Sequence, residues 1–262
     1  MKIEKITTFA IEVPIRRELM ITSSLGTHDV TRLTLLRLET DEGVDGVGEA
    51  TVTPLWSGET AWGARAMIDR YLAPAVLGWD VTDVPGALAA MDAAAWGNPF
   101  SKAAVEMAML DAWGKAERKP VYELLGGATR DLSIPIRFSL AAASAEVTAA
   151  NAVRRVEWGH RTVKVKVGKD PRADVERVCA VRDGIGPDVL LTVDANGGWS
   201  VEEAVWALEQ MRPLALSLAE QPVRREDLEG MAEVRRRVDV PIMVDEGVFT
   251  LWDAEQALKK EA

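Results

Sequence analysis

From about residue 133 onward, short apolar segments alternate with helical ones five times, and this rhythm limits the fold more than any other feature of the chain. IPIRFSL precedes a helix to Trp158, and TVKVKVG precedes a helix from Asp170. VLLTVDAN precedes a helix from Ser200, LALSLAEQP a helix from Arg225, and PIMVDEG a helix from Thr250. Strands joined through helices must run parallel, and right-handed crossovers place the helices on the sheet's face. A regular spacing of about 25 residues favours a (β/α) barrel over a doubly wound sheet. No GxGxxG fingerprint follows any of these strands, which weakens a dinucleotide-binding fold. Helix starts are well marked. Asp170 precedes Pro171 at the first helical position, and Ser200 with Glu203 forms a capping box.

The first half reads differently. Residues 3 to 13 and 31 to 40 alternate as strands, and DEGVDGVGEA leads through turn glycines into a third. Between the first two lies RRELMITSSLGTHD, a polar segment with few apolar residues. Residues 101 to 118 predict a helix with Val105, Ala108, Met109, Ala112 and Ala116 on one face and Ser101 as N-cap. Gly126 and Gly127 end a short helix after it. The expected organisation is an α+β domain over residues 1–127, followed by the barrel elements of 128–262.

Composition narrows the function classes. The 262 residues include 48% hydrophobic and 27% charged side chains, ample for a buried core. A net charge of −10 repels phosphate backbones and argues against nucleic acid as a partner. The single cysteine, Cys179, has the helical spacing of a core thiol and excludes an internal disulfide. The N-terminus lacks the apolar run of a signal peptide, and no stretch is long and apolar enough to span a membrane. A cytoplasmic protein is the expectation.

The chemistry concentrates at the C-terminal ends of the strands, where barrel active sites form. In TVKVKVG, Val163, Val165 and Val167 take one face, and Lys164 and Lys166 take the other. The valines suit the helix layer, so both lysines point inward, where they need anionic partners. The next three strands end in Asp194, Glu220 and Asp245. Three converging carboxylates repel one another unless a cation joins them, and oxygen-only ligation suits Mg2+ or Mn2+ rather than Zn2+. Asn196, two residues after Asp194, is a candidate substrate contact. Such a metal binds a substrate carboxylate and offsets the charge that develops when the α-proton leaves. An amine accepts that proton only when neutral, and a second cation alongside disfavours its charged form. Lys166, nearer the barrel mouth, is the expected base, with Lys164 polarising the substrate carboxylate.

At these residues the chain resembles the enolase superfamily, in its muconate lactonizing (muconate cycloisomerase) and mandelate racemase-like subgroup. The matching text is Lys164-Val165-Lys166, Asp194-Ala195-Asn196, Glu220-Gln221-Pro222 and Asp245-Glu246, with SKAAVEMAMLDAWGKAERKPVYELLGG resembling the family's domain junction. The resemblance covers essentially the whole chain. It implies an α/β architecture in which an α+β capping domain precedes a (β/α)7β TIM-like barrel. It also implies Mg2+ held by Asp194, Glu220 and Asp245, supported by Glu246, and Lys166 as acid/base. Substrate-selecting loops would lie near residues 16 to 28 and 53 to 57, with Met20, Ile21, Leu55 and Trp56 as lid contacts. A small carboxylate is the implied substrate, and a homo-oligomer the implied assembly.

Two departures from the family pattern bear on function. Gly247 follows Glu246 where serine is usual, and the ligand is retained. The family continues past Ala262 through further barrel elements, the sixth strand of which bears a second acid/base lysine; none here takes that role. The expectation is an incomplete barrel with an exposed parallel edge and an apolar interior. The leading reading is a cycloisomerase-type isomerase. The alternatives are an N-acylamino acid or dipeptide racemase/epimerase, an o-succinylbenzoate synthase-type dehydratase, a truncated homologue that needs a partner segment, and a non-catalytic metal-binding module.

Overall fold

Ten strands follow in chain order: β1 (Ile3–Pro14), β2 (Ile21–Ser23), β3 (Gly26–His28), β4 (Val30–Thr40), β5 (Asp45–Thr51), β6 (Phe138–Leu140), β7 (Thr162–Lys166), β8 (Leu190–Asp194), β9 (Leu218–Glu220) and β10 (Ile242–Met243). The computed structural model describes residues 1–262, the side chain of Glu18 apart. The chain divides into two units, Met1–Ile15 with Val30–Leu132, and Arg16–Asp29 with Ser133–Ala262.

In the first unit β1, β4 and β5 form an antiparallel sheet in that order. One face carries Leu36 and Leu38, buried among Ile68, Leu72, Met91 and Met109. The helix Pro99–Glu117 packs against β5, and glycine permits that approach. A Cβ on Gly46 or Gly48 would stand 1.9 Å from the carbonyl oxygen of Ala108 or Ala104. Two expectations for this helix are corrected. Asn98, not Ser101, is the N-cap position, with Pro99 in the first turn. Ser101 is buried, and its hydroxyl donates to Glu59 Oε2 at 2.5 Å. Glu59 also accepts the amides of Phe100 (2.9 Å) and Ser101 (3.2 Å), so a carboxylate from another segment satisfies the first turn. Ala116 is exposed, because the helix ends at Arg118 in a left-handed cap just beyond it.

In the second unit, β10, β9, β8, β7 and β6 form a sheet in that order, and every neighbouring pair is parallel. The order never reverses, as winding toward a barrel requires and a doubly wound sheet forbids. The helices Ala145–Glu157, Pro171–Ile185, Val201–Gln210, Leu228–Arg237 and Leu251–Lys260 follow the strands, each packed on the next. Asp170, Ser200 and Thr250 cap three of them through side-chain oxygens. The fourth starts at Leu228 rather than Arg225, because Asp227 is the residue able to accept the first-turn amide of Gly230.

The sheet's helix-facing side is its core. Val163, Val165, Val167, Leu191 and Val193 are buried there against Val178, Val181, Ala204 and Met231. Burying each such side chain contributes about 1.5–3 kcal/mol. The opposite face is not the apolar interior expected: β7 to β9 carry Lys164, Lys166, Thr192, Asp194 and Glu220 on it. Cys179 is partly buried, and burial, with Asp183 nearby, raises its thiol. The polar segment after β1 contains a small hairpin, with Ile21 paired to His28 and Ser23 to Gly26. No helix among the described residues is long and apolar enough to cross a membrane.

Candidate active site

Register brings the charged groups level. Lys166 on β7 pairs with Asp194 on β8, and Asp194 pairs with Glu220 on β9. Lys166 Nζ lies 2.5 Å from Asp194 Oδ2, and Lys164 Nζ approaches the same oxygen at 2.9 Å. Lys164 also reaches Glu220 Oε1 at 2.7 Å. Asp194 is fully buried, and Lys164 and Glu220 nearly so. Burial acts to raise the Asp194 carboxyl, but attraction from Lys166 and Lys164 outweighs it and holds the group below the usual carboxylate range. Glu220 lies above that range through burial and then through the charge on Asp194. Asp245 is raised by burial, then by Glu246 and Asp194.

The turns beyond the strands fix these side chains. Asn196 adopts φ +44° and Gln221 φ +39°, a left-handed backbone that neither residue takes without compensation. Asn196 Oδ1 accepts from Lys166 Nζ at 2.7 Å, its amide Nδ2 donates to Glu246 Oε1, and its backbone N–H donates to Asp194 Oδ1 at 2.9 Å. It therefore links the lysine strand to the end of β10. Gln221 is fully buried, and its Oε1 accepts the amides of Asp245 (2.8 Å) and Gly247 (3.2 Å), while Nε2 donates to the Val223 carbonyl. This clamp sets the turn that carries Asp245.

Behind Lys166, Arg177 donates to the Lys166 carbonyl at 3.3 Å and to Ala143 O at 2.6 Å, and pairs with the fully buried Asp174 at 2.6 Å. Asp174 Oδ2 accepts from the amides of Gly168 and Lys169 and from the Trp199 indole. Gly168 has φ +92°, and a Cβ there would stand 2.2 Å from the Ala195 carbonyl, so only glycine lets β7 leave the sheet so close to the Asp194 turn. From the hairpin side, Ser24 Oγ lies 2.8 Å from Ala195 O and 3.1 Å from Asn196 O, donating to that turn.

Among the described residues, no three acidic, histidine or cysteine side chains stand together as a ready metal cage. Instead the Lys164 ammonium bridges Asp194 and Glu220, a positive charge among hard oxygen donors. Glu220 Oε2 is buried without a hydrogen bond, although Arg137 Nη2 lies 3.0 Å away. Carboxylate-only donors with an unsatisfied buried oxygen fit a hard divalent cation of the Mg2+ type.

The expected lid residues are distributed between the units. Met20 and Ile21, half-buried, belong to the second, and Ile21 opens β2. Leu55 and Trp56 belong to the first, with Leu55 exposed and Trp56 edge-on to Phe100 at 5.6 Å. The sequence reading does not single out Arg137, Ser24, Gln221, Asp174 or Arg177. Asp174 and Arg177, three apart on one helix, offer a local signal, and Arg137 is a lone charge in the segment IPIRFSL, just before β6.

Both halves of the chain match known protein families. The family model described as mandelate racemase / muconate lactonizing enzyme, N-terminal domain, matches residues 5–126, and that described as enolase C-terminal domain-like matches residues 147–262. The chain is 33% identical over 263 residues to N-succinyl-L-Arg/Lys racemase of Bacillus cereus, covering 100% of this chain and 70% of that one. It is 34% identical over 235 residues to muconate cycloisomerase 1 of Pseudomonas putida, covering 88% of this chain and 62% of the relative. A crystal structure of a dipeptide epimerase from Enterococcus faecalis, complexed with Mg and the dipeptide L-Leu-L-Tyr, superposes with a TM-score of 0.94 at 33% identity, covering 100% of this chain and 72% of that one. These relatives are enzymes, and shared sequence and fold over both halves make this chain a member of the enolase superfamily, in its mandelate racemase / muconate lactonizing enzyme branch.

Proposed function

We propose that this chain removes the proton α to the carboxylate of a small substrate, with Lys166 as the base and Asp194, Glu220 and Asp245 as the ligands of a Mg2+ or Mn2+ ion. The observation that carries the reading is the convergence of Lys164 and Lys166 on Asp194 Oδ2, at 2.9 and 2.5 Å, with Glu220 sharing Lys164. When bound, the divalent ion supplies the positive charge that offsets the negative charge developing on the substrate carboxylate. Lys166 takes the proton at Nζ. In its neutral form it keeps two N–H donors and one lone pair. Donation to Asn196 Oδ1 at 2.7 Å fixes the amine and leaves the lone pair to face the substrate carbon. Glu246 holds Asn196 from the far side, and Lys164 adds positive charge beside the carboxylate as its electron density rises. Met20, Ile21, Leu55 and Trp56 are assigned to substrate selection.

The product follows from where the proton returns or which bond breaks next. Cycloisomerisation is one outcome, and racemisation or epimerisation of an N-acylamino acid or dipeptide is the other; relatives with both activities are about equally similar to this chain. The test is exchange of the substrate α-proton in deuterated water with Mg2+, across muconate, N-succinyl amino acids and dipeptides. Lys166→Ala is expected to slow exchange by about 10^2–10^4-fold, the usual range for a general base. Undiminished exchange in that variant would sink the assignment.

A further inference from the structure

The left-handed turn at Asn196 is gripped from outside the sheet. The Ser24 hydroxyl lies 2.8 Å from Ala195 O and 3.1 Å from Asn196 O, so one donor faces the carbonyls on both sides of Asn196. Ala195 O also accepts the amide of Gly198 at 3.0 Å, which closes the turn on itself. Ser24 seats against that glycine: a Cβ on Gly198 would stand 2.8 Å from the Ser24 Cβ. The hairpin has a second attachment, since Thr22 O accepts from the Ala142 amide at 2.9 Å. Ala142 lies two residues beyond β6 and Ala195 one beyond β8, and β7 runs between those strands. Thr22–Ser24 therefore crosses the end of β7, whose last residue is Lys166. The Lys166 side chain is only 12% exposed, and its Nζ donates to Asn196 Oδ1 at 2.7 Å. A chain of contacts thus runs from Ser24 through the Asn196 turn to the amine. Holding Asn196 in a left-handed backbone costs energy, and each hydrogen bond to that turn helps to offset it.

We propose that Ser24 is a positioning residue for Lys166. Its hydroxyl fixes the turn that presents Asn196 Oδ1 to the amine, and the same contact seats the hairpin across the end of β7. Ser24 touches neither the reacting atoms nor Lys166 and acts through Asn196. Its importance for proton transfer rests on the reading of Lys166 as the base.

The experiment follows the rate at which trinitrobenzenesulfonate labels Lys166 in the full chain, read by peptide mass spectrometry against Lys5, an exposed lysine of the first unit. Ser24→Ala is expected to speed Lys166 labelling about five- to tenfold, the scale of one lost hydrogen bond, with Lys5 unchanged. Asn196→Gly, which tolerates the left-handed backbone and removes the side-chain amide, is expected to do the same. The double variant should label no faster than the faster single one, because both substitutions break one chain of contacts. Ser24→Thr, which retains the hydroxyl, stays near the wild-type rate. An unchanged rate in Ser24→Ala, effects that multiply in the double variant, or Ser24→Thr behaving like Ser24→Ala overturns the proposal. Exchange of the α-proton is read separately. For a substrate that exchanges, Ser24→Ala lowers kcat by a similar factor and leaves KM unchanged. A change in KM alone overturns the proposal, marking the hairpin as a substrate cover only. If no substrate exchanges but labelling follows the expected pattern, the catalytic reading of Lys166 fails and the hold of Ser24 on it stands.

Discussion

Strands β4 and β7 both alternate, yet they bury opposite kinds of surface. On β4, Leu36 and Leu38 go into an apolar core, and the intervening Arg37 pairs at the exposed face with Asp45. On β7, Val163 and Val165 go into the core, but the intervening Lys164 is buried as well, against Asp194 and Glu220. An exposed pair like Arg37–Asp45 adds little to stability, because water solvates both ions. A buried cluster is costly to desolvate and persists only while each charge has its partner. The first unit therefore has one face that determines its stability, whereas the second has one face for stability and another for chemistry.

Three perturbations probe that contrast, taken from the largest expected effect. Asp194→Ala leaves two lysines facing each other without their shared carboxylate, and removing one partner of a buried cluster costs about 3–5 kcal/mol. Urea denaturation is the measurement. A loss below about 1 kcal/mol, the scale of a solvated pair, would show that the cluster behaves like a surface one. Leu38→Ala, in the fully buried core of the first unit, is expected to cost about 2–5 kcal/mol through lost transfer energy and a cavity. It should leave the site's affinity for Mg2+ unchanged. A parallel drop in Mg2+ affinity would mean that the two faces are not separable.

The smallest effect concerns pH. Glu220 and Asp245 have raised carboxyls, so the metal-free fold binds their protons more tightly than the unfolded chain does. Their contribution to stability is present below the ordinary carboxylate range and is lost as pH rises through the raised values. Asp194, held low by the lysines, works the other way, stabilising above its ordinary range and losing that as pH falls. A divalent cation relieves the cost of ionised Glu220 and Asp245 only where they are ionised. The Mg2+-induced rise in Tm should therefore be larger at about pH 7.5 than at about pH 5. An equal rise at both would separate Mg2+ binding from these two carboxylates.

Much of this was legible before folding because it is local. The alternation of Val163, Lys164, Val165 and Lys166 is a property of the extended backbone, whose side chains change faces at every residue. Asp170, Ser200 and Thr250 announce helix starts because the groups they satisfy lie two or three residues away. The same local logic failed at Ser101, where the first turn is satisfied by Glu59, far off in the chain. The hairpin at Ile21–His28 escaped because three-residue strands carry too little alternation to read.

By itself, then, the sequence determined the parallel strand–helix order, the inward lysines and the acids at successive strand ends, since each depends on periodicity and on neighbours along the chain. Only the tertiary structure decided that both lysines meet one oxygen of Asp194, that Gln221 clamps the Asp245 turn, that Ser24 reaches the Asn196 turn, and that the guanidinium of Arg137 faces Glu220. Those contacts join residues far apart in the chain. Distances of that kind are set by strand register and by the packing of the helix layer, which no short window of residues contains.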